Sequence, residues 1–144
     1  MSTVRPALSK VDNLARLLSR SGYEKCLQKV NVTHLEDGSC LAELRIGPEH
    51  VNPMGTLHGG LSATLVDSIS SWALHSHRNG PNISVSVEMN MTYVKGAKEG
   101  EEIQIDAKTL KVGKTLAFLE VFIKNKSSGE LLVRGSHTKY LLRD

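Results

Sequence analysis

The chain has 144 residues, and 18 lysines and arginines against 15 acids leave a net charge of only +3. A chain of this length buries about two thirds of its unfolded surface, which makes one domain over residues 1–144 that needs neither disulfides nor metal to fold. With 40% hydrophobic and 23% charged residues the composition excludes intrinsic disorder, and one Trp, three Tyr and two Phe are too few to stack nucleic-acid bases. The slight basic excess is diffuse, so it leaves room only for a local pocket that takes an anionic ligand.

Cys26 and Cys40 have no C-x-x-C or Cys/His zinc spacing and read as reduced, packed thiols. No segment has the apolar length of a membrane span, and the first 21 residues lack a secretory apolar core. The expectation is a cytoplasmic protein. Arg5, Lys10, Arg16 and Arg20 against the single acid Asp12 also permit a mitochondrial address.

In chain order, Leu8, Val11, Leu14, Leu17 and Leu18 recur at helical spacing, which predicts a first helix over about residues 7–20. Two strands follow, Val30 to Glu36 and Ser39 to Ile46, joined by Asp37-Gly38, a pair suited to a tight hairpin turn. A loop from Glu49 to His58 leads to Gly59-Gly60. Leu61, Leu65, Ile69, Trp72 and Ala73 then predict a long helix over about residues 59–78. Beyond Asn79-Gly80-Pro81, Ile83, Val85, Val87, Met89, Met91 and Tyr93 alternate with polar residues, predicting a strand with one core face and one polar face. Strands over Glu102 to Val112, Thr115 to Asn125 and Leu131 to Leu141 complete the chain. The order is α+β with an antiparallel sheet. One helix can cover only one face of it, so the other face or an edge strand should meet a second copy of the chain.

Chemistry concentrates between His50 and Asp67. Glycines at a helix start can simply let the chain turn, or they can let a ligand reach free N–H groups at the positive end of the helix dipole. Asp67 lies two turns after Gly60, so it shares a face with the helix start, beside Leu61 and Leu65. An acid there must be solvated, paired or used as a general base; an exposed acid bonded to Ser70 or Ser71 is the plain alternative.

The run Asn52-Pro-Met-Gly-Thr-Leu-His-Gly-Gly-Leu-Ser-Ala-Thr-Leu-Val-Asp67, with Val85-Ser-Val-Glu-Met-Asn-Met-Thr-Tyr93 and Leu110-Lys-Val-Gly-Lys-Thr-Leu-Ala-Phe118, resembles the hotdog-fold acyl-CoA thioesterases over nearly the whole chain. The resemblance implies a long central helix wrapped by a curved antiparallel sheet. It implies Asp67 as the catalytic carboxylate, either general base or nucleophile. Gly59, through its N–H, and Asn52 would polarise the thioester carbonyl, His58 would shape that site, and Ser86 would position the water. Lys111, Val112, Gly113, Lys114, Thr115 and Leu116 would form the turn that contacts coenzyme A, with Tyr93 and His137 in the same role. The site would lie across a homodimer interface, within a homotetramer built as a dimer of dimers. No metal or cofactor is implied, coenzyme A being part of substrate and product. Glu88 stands where relatives commonly carry aspartate.

In isolation Lys111-Val-Gly-Lys114 is an ordinary solvated turn, and it is no phosphate-binding P-loop because a strand follows it. His34 and His50 lack a ligand cluster, His75 and His77 point to different sides, and Ser62, Ser70 and Ser71 lack a G-x-S-x-G context. Two other readings remain: a hydroxyacyl-thioester dehydratase or hydratase, which needs a histidine set against the acid, and a non-catalytic acyl-CoA sensor regulating a lipid-binding protein partner.

Overall fold

The computed structural model describes residues 22–143; the helix expected over residues 7–20 lies outside them. The elements are β1 (Asn31–Glu36), β2 (Ser39–Arg45), α1 (Gly59–Ser76), β3 (Ile83–Tyr93), β4 (Glu102–Val112), β5 (Leu116–Asn125) and β6 (Leu131–Leu142), with short 3-10 turns at Gly22–Leu27 and Pro48–His50. The β1–β2 turn is built on Asp37 and Gly38, both at positive φ (38° and 91°). That is the left-handed pair a two-residue hairpin requires. The helix ends two residues before the expected 78, where His77 becomes extended and its N–H bonds Leu74 O at 3.0 Å.

All six strands form one antiparallel sheet in the order β1-β2-β4-β5-β6-β3. After the helix the chain lays β3 at the far edge beside β6, and β4 then returns to β2. The 18-residue helix is about 27 Å long and touches every strand. A flat sheet could not meet one rod in this way, so the sheet curls around α1 as a hotdog. Leu65, Val66, Ile69, Trp72 and Ala73 of α1 pack on Ala42, Leu44, Ile103, Ile105, Val121 and Ile123, none more than 5% exposed. Gly135 of β6 lies directly under the helix: a Cβ there would sit 2.8 Å from Val66 Cγ1. This close approach brings the helix surface down onto β6 one strand position before His137.

The expectation of one core face and one polar face along β3 fails at Val87. There the pairing with β6 slips, from Ser86 opposite Lys139 to Glu88 opposite Thr138, and Val87 is the extra residue of a β-bulge. A bulge reverses the alternation. Before it, Ser84 and Ser86 share the inner face with Leu141 and Lys139, while Ile83 and Val85 face outward with Tyr140 and Leu142. After it, Met89 and Met91 turn inward and pack on the core, and Glu88 is exposed on the outer face.

Candidate active site

The loop before α1 is shaped by the two side chains expected to matter there. Asn52 Oδ1 accepts the N–H groups of Met54 (3.0 Å) and Thr56 (3.1 Å), and its Nδ2 donates to Thr56 Oγ1 (2.9 Å). An amide nitrogen carries two protons, so one remains for a ligand. His58 caps the helix: its Nδ1 accepts the Gly60 N–H at 2.8 Å, while its carbonyl takes the first intrahelical bond, from Ser62 N at 3.0 Å. The Gly59 N–H precedes that bond and has no intrahelical acceptor. Asn52 and Gly59 line one cleft of ≈ 340 Å³ with Leu57, Ser62, Tyr93 and Val133. Buried His50 supports the loop: its Nδ1 accepts the Gly47 N–H at 2.9 Å and its carbonyl accepts His58 N–H at 2.9 Å. Burial pushes the His50 imidazole below its ordinary range, which keeps it a neutral acceptor.

Asp67 is the only Asp, Glu, Lys or Arg in α1, and its side chain is 51% exposed. Ser70 and Ser71 do not bond its carboxylate. Both hydroxyls donate instead to its main-chain carbonyl, at 3.1 and 2.7 Å. Each of them is met by a side chain from the inner face of β6, with His137 Nδ1 2.9 Å from Ser70 Oγ and Lys139 Nζ donating to Ser71 Oγ at 2.6 Å. Because Ser70 spends its proton on the Asp67 carbonyl, His137 Nδ1 is the donor in that pair. The other ring nitrogen, Nε2, then accepts from Ser86 Oγ at 2.7 Å and lies 3.9 Å from Asp67 Oδ1. His137 is 1% exposed, and burial, reinforced by the neighbouring Lys139 charge, pushes its imidazole down to about 4. It is a neutral ring at physiological pH. Its proximity to Asp67 meets the geometric requirement of a dehydratase only superficially, because both ring nitrogens are already engaged by Ser70 and Ser86.

The turn expected to contact coenzyme A joins β4 to β5. Leu110 is the extra residue of a second bulge, and past it Lys111 faces outward opposite Phe118. Gly113 N–H closes the turn on Leu116 O at 2.8 Å, and Lys114 and Thr115 are exposed at its tip, with Val112 and Leu116 half-buried at its base. Arg143 bonds both Lys114 O (3.3 Å) and Asn79 O (2.9 Å), tying the turn to the end of α1. Within one chain Tyr93 and His137 lie away from this turn. Tyr93 sits at the opposite end of α1, its hydroxyl donating to Gly59 O at 3.0 Å, and His137 sits with Ser86 and Asp67.

Sequence reasoning offered Ser70 and Ser71 only as partners of the Asp67 side chain, and missed Lys139 and the contacts the two serines make with β6. A signal for the lysine existed: period-2 reading of the last strand puts Val133, Gly135, His137, Lys139 and Leu141 on one face. No comparable signal ties the two serines to partners that lie 67 and 68 positions away. Among the described residues, no group of three or more His, Cys, Asp or Glu could hold a metal ion.

A sheet curled about one helix, with an acid at mid-helix and a Gly-Gly helix start, defines a thioesterase of the hotdog class. The Thioesterase superfamily model matches residues 54–132, and the chain belongs to that family. It is 49% identical over 121 residues to mouse acyl-coenzyme A thioesterase 13, covering 83% of this chain and 85% of the relative. It is 43% identical to the human acyl-coenzyme A thioesterase 13 over 142 residues, covering 98% and 99%. Among solved structures, zebrafish thioesterase superfamily member 2 superposes with a TM-score of 0.89 at 43% identity, over 94% of this chain and 98% of that one.

Proposed function

We propose that the chain hydrolyses medium- to long-chain fatty acyl-CoA to free fatty acid and coenzyme A, with a site completed by two copies. The observation that carries this reading is a separation. Asp67 lies eight residues beyond Gly59, about 12 Å along the helix axis, too far for both to act on one carbonyl. Each half is nonetheless built. Asn52 and Gly59 present N–H groups to a cleft, and Asp67 stands half-exposed beside Ser86. Bringing the Asp67 of one copy to the cleft of another assembles an acid, a water site and an oxyanion hole around a single thioester.

Asp67 either takes a proton from water as the water oxygen attacks the thioester carbon, then returns it to the coenzyme A thiolate that leaves as the C–S bond breaks, or attacks that carbon itself, expelling the thiolate and leaving an anhydride that water hydrolyses. For the water route, Ser86 donates its hydrogen bond to His137 Nε2, so its oxygen is an acceptor that can hold the water's second hydrogen while Asp67 takes the first. The Gly59 N–H and the spare Asn52 N–H stabilise the charge that develops on the carbonyl oxygen, and His58 holds the first turn rigid. Lys111 and Lys114, with the backbone of the Val112–Leu116 turn, meet the phosphates of coenzyme A.

The two sheet edges favour pairing through β3. β1 is short, six residues, and largely polar, whereas β3 is eleven residues long and exposes Ile83, Val85 and Val87. On the outer face, Ile83 and Val85 continue into Tyr140, Leu142 and Phe118, an exposed apolar patch that supports a dimer of dimers.

The test is release of free coenzyme A thiol from a panel of acyl-CoAs of increasing chain length. Asp67→Ala and Asn52→Ala are assayed alone and after mixing through mild denaturation and refolding. The expected result is turnover peaking at medium to long chains, its loss in each variant, and partial recovery in the mixture, because a mixed dimer holds one intact site. Full activity of Asp67→Ala would overturn the assignment. No recovery on mixing, with mixed dimers demonstrated, would place the site within one chain.

A further inference from the structure

Lys139 has no part in the reaction as read so far, yet its position is hard to explain by stability. It lies on the inner face of β6 between His137 and Leu141, opposite Ser86 of β3 and Ala117 of β5, and is 5% exposed. A buried ammonium is costly, and no carboxylate of the described residues forms an ion pair with it. Its one hydrogen bond goes to Ser71 Oγ at 2.6 Å, and that hydroxyl in turn donates to the main-chain carbonyl of Asp67 at 2.7 Å. Its neighbours on the inner face of the sheet are the neutral His137 of β6, Ser84 and Ser86 of β3, and Ala117 and Leu119 of β5. Burial lowers the lysine while the Asp67 charge opposes that effect.

We propose that Lys139 is a positioning residue for thioester cleavage: through Ser71 it fixes the helix turn that bears Asp67 and so aims that carboxylate. The inference rests on Asp67 being the catalytic acid. The hydrogen bond sets geometry, and a displacement of about 1 Å at a reacting group costs on the order of 100-fold in rate.

The experiment compares Lys139→Met, Lys139→Gln and Asp67→Asn on the acyl-CoA that the protein turns over fastest, measuring kcat and KM separately from pH 5 to 9. Lys139→Met should fold at least as stably as the unmodified protein and lower kcat by roughly 10- to 100-fold with KM changed little. Lys139→Gln keeps a donor for Ser71, so it should restore part of the lost kcat. It also serves as the test if the methionine variant folds poorly. If both Lys139 variants keep the original kcat while Asp67→Asn is inactive, the role of Lys139 is refuted and that of Asp67 stands. If Asp67→Asn is itself active, the Asp67 assignment falls and the role of Lys139 falls with it.

Discussion

The buried imidazole of His137 makes acid sensitivity a quantitative test of the cluster. In the folded chain it is held at about 4, because burial and the Lys139 charge disfavour protonation; unfolded, it returns to its ordinary 6.5. The unfolded chain therefore binds more protons in this window. Stability from His137 is fully present above pH 6.5 and is lost as pH falls toward 4. Linkage through this one group gives a loss of about 2 kcal/mol between pH 7 and pH 5, and about 3 kcal/mol by pH 4. The assay is urea unfolding at fixed protein concentration, at half-unit steps from pH 7 to pH 4.5, on the unmodified protein and on His137→Gln. Fixed concentration matters because association adds to apparent stability. Glutamine retains a donor and an acceptor for Ser70 and Ser86 but has nothing to titrate. Subtracting the two curves removes His50, which burial shifts in the same direction, and the surface carboxylates. A difference that grows by about 1 kcal/mol per pH unit below 6 is expected. A flat difference would mean that His137 is solvated or charged in the folded state, and the tautomer that leaves Ser86 as an acceptor would be refuted.

Gly135→Ala should destabilise the fold by about 1–3 kcal/mol, read as a lower urea midpoint, because the new Cβ meets both Val66 methyl groups at 2.8 and 3.0 Å and the helix cannot retreat without opening the core. Replacing Lys111 and Lys114 together with alanine should raise KM for acyl-CoA by roughly tenfold and leave hydrolysis of a short thioester without the nucleotide unchanged. Equal effects on both substrates would remove the turn from phosphate binding.

The parts of this protein that depend on neighbouring residues alone were legible in its sequence. The Asp37-Gly38 turn, the long helix with its single acid and the four later strands fall within two residues of where spacing places them. Of the proposed site, Gly59 and Asp67 stand out for the same local reasons, a diglycine at a helix start and an aspartate inside an otherwise uncharged helix, whereas His58 entered only through the family resemblance and its capping role only through the structure. What depends on pairing did not show. The bulge at Val87 exists only through the register of β3 against β6, so an unbroken alternation read along the chain placed Ser86 and Val85 on the wrong faces. Ser70 and Ser71 become supports for Asp67 only because β6 sets His137 and Lys139 against them, and the tertiary fold decides that contact. Which strand is left open to the expected second copy was equally hidden: β3 becomes an edge only because the chain lays it beside β6 and then returns to pair β4 with β2.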